Sequence, residues 1–129
     1  DSLMLSAREG KVLLLNFWGT WCGPCRIEQP ILNDLYSRYQ GRGLEVWGIA
    51  VSSTRLAVEL WIENLGVPYP ILMPAISDST LLGRYGVEKG IPLSVLVDRN
   101  GEVQLQERGV VTSADSLSAV IETLLGPSR

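Results

Sequence analysis

Lys11-Val12-Leu13-Leu14-Leu15-Asn16-Phe17-Trp18 is a nearly continuous apolar run, and Gly19-Thr20-Trp21-Cys22-Gly23-Pro24 breaks it. An apolar run of this length, bounded by turn residues, reads as a strand buried on both faces. Beyond the break, Ile27, Ile31, Leu35 and Tyr39 recur at a spacing of four, which predicts a helix with those residues on its inner stripe, stopped by Gly41 and Gly43. The first 43 residues therefore read strand, sharp corner, helix, with both cysteines of the chain at the corner.

Working outward, Leu44 to Val51 reads as a second central strand and Arg55 to Leu65 as a helix closed by Gly66. Val67-Pro68-Tyr69-Pro70-Ile71-Leu72-Met73-Pro74 is extended, because each proline pushes the residue before it away from the helical region. Ser77-Asp78-Ser79 offers an N-cap for a short helix through Tyr85. Leu93 to Asp98 and Glu102 to Arg108 read as two strands joined at Arg99-Asn100-Gly101, since Asn-Gly is a strong hairpin signal. An amphipathic helix from about Ser113 to Leu125 closes the chain, ended by Gly126-Pro127. Parallel strands linked through helices, followed by a terminal hairpin, predict an α/β fold. Its central mixed sheet is flanked by helices on both faces, with an insertion between the second central strand and the strand at Leu93.

Composition narrows the chemistry. The chain has 129 residues, 46% of them apolar and 19% charged, which suits one domain over 1–129 with a real core. No apolar run approaches the roughly 20 residues of a membrane-spanning helix. Nothing at Asp1-Ser2-Leu3-Met4 resembles a signal peptide. Eleven basic residues against fourteen acidic ones give a net charge of −3, the wrong sign for a nucleic-acid binder. Histidine is absent, which removes imidazole acid–base chemistry and histidine–metal sites together.

Chemistry is concentrated at Cys22-Gly23-Pro24-Cys25. Within the first turn of a helix the two sulfurs can reach disulfide distance with little strain, and Gly-Pro fits a helix start. The first thiol faces the positive end of the helix dipole, where free N–H groups stabilise a thiolate; the second is more shielded and suited to resolve a mixed disulfide. A zinc site would need two more Cys or His ligands, and the chain has none. A purely structural disulfide would close so short a loop that it gains little. The pair itself carries two electrons, so no diffusible cofactor and no metal is expected, and the substrate is another protein's thiols or disulfide.

Leu15 to Arg26 resembles the active-site stretch of thioredoxin-fold proteins, and Pro30 matches their helix proline. Gly90-Ile91-Pro92-Leu93-Ser94-Val95-Leu96-Val97-Asp98 with Asn100-Gly101 is similar to their cis-proline loop and terminal hairpin. Within that superfamily the likeness is to the TlpA/ResA/CcmG type of extracytoplasmic thiol–disulfide oxidoreductase. It rests on the Trp-Cys-Gly-Pro-Cys-Arg-Ile-Glu-Gln-Pro run, the extra segment between Val51 and Leu93, and the Tyr85-Gly86-Val87 to Ile91-Pro92 approach. The resemblance implies Cys22 as nucleophile, Cys25 as resolving thiol, and Glu28 as a carboxylate that tunes the thiols and shuttles protons. It further implies a cis Ile91-Pro92 bond that helps bind the partner chain, beside Trp21, Gly23 and Pro24 at the rim. Asn16 stands where cytosolic thioredoxins carry an aspartate, and an amide cannot take up the proton, which shifts that duty to Glu28 or water.

The same resemblance implies a periplasmic or other extracytoplasmic setting, a membrane thiol relay as electron donor, and substrates such as apocytochrome c cysteines. Two departures stand against it. Only ten residues precede Lys11, where such domains carry a further strand or hairpin, so the sequence reads as trimmed or as having a short N-terminal extension. Ser94 and Val95 replace the usual threonine and aromatic, which bears on partner preference. The rivals are a non-catalytic binding module with static cysteines, a copper chaperone lacking its histidine, and a peroxidase, whose cysteine motif fits less well. Trp18, Trp47 and Trp61 are expected in the core, and Arg26 either beside a thiolate or in solvent.

Overall fold

The computed structural model describes residues 10–73, 86–111 and 113–127. Five strands form one sheet in the order β3-β2-β1-β4-β5. Strand β1 (Val12–Trp18) is central, with β2 (Leu44–Ala50) parallel to it on one side and β4 (Leu93–Val97) antiparallel on the other. At the edges, β3 (Ile71–Leu72) continues the parallel half and β5 (Val103–Arg108) the antiparallel half. The mixed sheet expected from the sequence is therefore present, and the inserted extended segment contributes its short edge strand. The helix expected from Ser77 to Tyr85 lies outside the described residues.

Alternation along β1 sorts its side chains by face, because successive strand residues point to opposite sides. Val12 and Leu14 meet helix α1 (Gly23–Tyr39) and helix α3 (Ala114–Leu125) through Leu32, Leu35, Leu117 and Ile121. Leu13, Leu15 and Phe17 point the other way, into a second apolar cluster with Ile49, Leu93 and Val95. By the same parity Asn16 and Trp18 share the α1 side. Helix α2 (Arg55–Leu65) packs there too, its Val58 and Trp61 against Trp18 and Ala50. Ile121 is fully buried between β1 and α1, so truncating it to Ala should cost about 2–5 kcal/mol.

Two expectations need correcting. The inner stripe of α1 is Cys25, Glu28, Gln29, Leu32, Leu35 and Tyr39, and Ile27 is 67% exposed. Leu35 and Tyr39 lie on the expected stripe and Ile31 packs against it; apolar periodicity went wrong only at the first turn, where the buried positions Glu28 and Gln29 are polar. The hairpin connection is also longer than the expected Arg99-Asn100-Gly101, because β4 ends at Val97 and β5 starts at Val103. Residues Asp98 to Glu102 bridge β4 and β5, with Gly101 left-handed at φ 89° and a register irregularity between Leu96 and Val97. The Asp98 carboxylate organises this loop, accepting the N–H groups of Asn100 and Glu102 and the side chain of Gln104.

Candidate active site at the β1–α1 corner

Cys22 is the N-cap of α1, in extended conformation, with Pro24 in the first helical turn. Its sulfur accepts the N–H of Cys25 at 3.2 Å, occupying the place that a serine or aspartate oxygen usually takes at a helix start. Cys22 and Cys25 are joined by a disulfide, their Cα atoms 5.3 Å apart. When reduced, a thiolate at Cys22 would meet the same N–H and the positive end of the helix dipole. Both cysteines are buried, whereas Trp21, Gly23 and Pro24 are exposed and form a rim above them.

Trp21 is 61% exposed, yet its ring is held in place. Its Nε1–H donates to the Ser52 carbonyl at 3.1 Å, and a Cβ on Gly19 would fall 2.7 Å from the indole. Glycine at position 19 is thus what lets the ring lie over the corner. Beneath the disulfide, Trp18 stacks on Trp61 with ring centroids 4.5 Å apart, as expected of core tryptophans. Arg26 is exposed, and its guanidinium lies 4.8 Å from the centre of the Trp61 ring. Ile91 is half-buried and packs against the cluster that holds Cys22 and Cys25. The Ile91–Pro92 bond is cis, and the Pro92 side chain is buried.

Glu28 lies one turn beyond Cys25 and is only 1% exposed. Each oxygen has its own donor: the Asn16 Nδ2–H at 2.8 Å on Oε1 and the Val111 N–H at 2.7 Å on Oε2. Burial pushes its carboxyl above the ordinary value of 4.5; the two hydrogen bonds oppose that and the nearby Glu107 adds to it. Strand register supplies the rest of the environment. Asn16 pairs with Ser94 across β1 and β4, and Ser94 pairs with Glu107 across β4 and β5, so the three side chains form one polar row across the sheet.

Gln29, adjacent to Glu28, is also buried. Its amide oxygen accepts from Trp61 Nε1–H at 3.1 Å, and its nitrogen donates to the Tyr69 hydroxyl and to Asn33. Sequence reasoning missed Gln29, Tyr69 and Val111; at Asn16 it saw an amide that leaves the proton to Glu28 or water, and not the hydrogen bond to that carboxylate. Strand parity could have found that contact, because Asn16 shares a face with Trp18; no local signal marks the other three. Among the described residues no group of three or more His, Cys, Asp or Glu could hold a metal ion. No helix among them is long and apolar enough to cross a membrane.

Residues 1–106 match the AhpC/TSA family. The thiol-disulfide oxidoreductase ResA of Geobacillus thermodenitrificans is 39% identical over 111 residues, which cover 86% of this chain and 62% of that protein. The chain thus spans about three-fifths of the length of the curated relative it matches. Among solved structures, a Chlorobium tepidum protein described as the thiol:disulfide interchange protein DsbE superposes with a TM-score of 0.84 at 31% identity, covering 95% of this chain and 85% of the other. A second Chlorobium tepidum thiol:disulfide interchange protein of the thioredoxin family gives 0.83 at 28% identity, covering 94% and 84%. Fold, cysteine corner and relatives agree: the chain belongs to the AhpC/TSA family, with a thioredoxin fold of the TlpA/ResA/CcmG type.

Proposed function

We propose that this chain is a thiol–disulfide oxidoreductase that reduces disulfides in partner proteins through Cys22 and Cys25. The observation that carries the reading is the capping geometry: the Cys22 sulfur accepts a helix N–H beneath an exposed rim, with its disulfide partner buried behind it. In the reduced protein the Cys22 thiolate attacks a partner disulfide, forming a mixed disulfide and releasing one partner thiolate, which takes a proton. Cys25 then loses its proton to the Glu28 carboxylate and attacks the Cys22 sulfur. That closes the internal disulfide and frees the second partner thiolate. Two electrons pass to the partner, and the pair must then be reduced again.

Trp21, Gly23, Pro24 and Ile91 surround the reacting sulfurs and serve as the surface on which an extended partner segment lies, with Pro92 shaping the loop. Gly23-Pro24 between the cysteines favours a reductant. The TlpA/ResA/CcmG likeness supports an extracytoplasmic setting, an attachment to the membrane outside this chain, a membrane thiol relay as donor, and apocytochrome c cysteines among the substrates.

The test is the equilibrium reduction potential of the pair, followed by tryptophan fluorescence in thiol–disulfide buffers. A value near thioredoxin's, about −270 mV, supports a reductant, whereas one near DsbA's, about −120 mV, makes the protein a disulfide donor. A pair that shows no reversible couple, together with a Cys22→Ala variant that keeps its biological role, would leave a binding module as the answer.

A further inference from the structure

Both oxygens of the buried Glu28 face nitrogen donors, and this arrangement favours the ionised form. A carboxylic acid must donate one hydrogen bond of its own, and neither donor as placed can receive it. The Val111 N–H has no alternative, because a backbone amide nitrogen never accepts. Asn16 does have one: turning its side-chain amide over exchanges Nδ2 for Oδ1 and converts a donor into an acceptor at the same place. Ser94, paired with Asn16 across the sheet and 3.5 Å from its nitrogen, is a hydroxyl and can follow the exchange by donating or accepting.

We propose that Asn16 is the positioning residue for the Glu28 proton: its amide donates to the carboxylate and, turned over, accepts from the carboxylic acid, so that Glu28 can gain and lose a proton without leaving its buried seat. This deepens the proposed function, since that reading uses Glu28 as the proton acceptor for Cys25. Asn16 acts through Glu28, by its hydrogen bond to that carboxylate. An aspartate at position 16 would do something different, because it would add a second titrating group and divide the proton between two carboxyls. The other groups around Glu28 are Cys25 on its own helix, Glu107 on β5, whose charge disfavours the anion, and the Tyr69 phenol on the segment before β3, itself pushed up by burial.

The test is carbon-13 NMR of the glutamate carboxyls in the oxidised full chain, with the Glu28 signal assigned by its loss in Glu28→Gln. Glu28 titrates above 4.5, and in Asn16→Leu its midpoint rises further, by about one pH unit, because the bond lost to the anion is worth more than the one lost to the acid. In Asn16→Asp, which preserves side-chain size should the leucine variant fold poorly, Glu28 titrates in two coupled steps. In the unmodified chain the Asn16 side-chain amide signals shift at the Glu28 midpoint, and Glu107→Gln lowers that midpoint slightly. An unmoved Glu28 midpoint in both folded Asn16 variants overturns the proposal, as do Asn16 amide signals that ignore the Glu28 titration. The measurement involves no turnover, so a redox-inert cysteine pair would sink the proposed function and leave this result standing.

Discussion

Glu28, on α1 against the sheet, and Asp98, in the loop after β4, each accept nitrogen donors on both oxygens. Their acidities nevertheless move in opposite directions. At Asp98 the Glu102 N–H and its companions outweigh a slight desolvation, and the carboxyl falls below its ordinary 3.8. At Glu28 desolvation outweighs two good hydrogen bonds, and the carboxyl rises. Counting donors therefore does not tell a structural carboxylate from a chemical one; the water left around it does. Asp98 ties a loop as a carboxylate, while Glu28, buried one turn from Cys25, has the raised pKa that the proposed proton transfer needs.

The largest contrast between the two regions should be in turnover. Cys22→Ala is expected to lower reduction of a disulfide-bonded test protein at least about a thousandfold, since the nucleophile is gone. Asp98→Ala should leave the same assay within about twofold, as surface changes away from a site usually do. An Asp98 variant as inactive as the cysteine variant would break the division of labour. Next comes the packing that shields the buried region. Trp61→Ala removes the stack on Trp18 and the donor to Gln29, and should cost about 3–5 kcal/mol in denaturant unfolding.

The pH dependence sharpens the comparison further. Because the folded Glu28 pKa lies above the unfolded value near 4.5, the folded protein holds more protons than the unfolded one between those two values. Stability contributed by Glu28 is therefore present at low pH and lost as pH rises through the folded pKa, with a slope of at most about 1.4 kcal/mol per pH unit. Glu28→Gln should flatten that slope and slow the resolving step about a hundredfold, measured by unfolding at several pH values and by stopped-flow exchange. The smallest effect lies at the loop. Asp98 stabilises above its unfolded value near 3.8, and the contribution is lost as pH falls through the lowered folded pKa. Asp98→Asn should lower the thermal midpoint slightly at neutral pH and bring it closer to that of the unmodified chain in acid.

The sequence made the fold legible wherever local pattern and burial coincide. The run from Val12 to Trp18, the Gly-Pro corner and the glycine at position 66 each announce an element and its end. The cysteine spacing announced the site for the same reason, since one helix turn defines it. The surroundings of Glu28 were not legible. Its partners at Asn16 and Val111 lie 12 and 83 residues away in the chain, and only sheet register and the return of the chain after β5 bring them together. Ile27 misled because it is apolar where α1 faces outward, while Glu28 and Gln29 are polar where it faces inward.

Arg99 has a consequence for how the molecule can be handled. One guanidinium bonds the Gly10 carbonyl at 2.8 Å and the Leu125 carbonyl at 3.0 Å, so the start of β1 and the end of α3 meet at one corner. The disulfide sits beyond the opposite end of β1, and seven strand residues place it on the order of 20 Å away. A graft to a bead or electrode at that corner would leave the cysteine pair facing outward. Immobilised this way, the protein presents every copy in one orientation, with the redox end towards the solution.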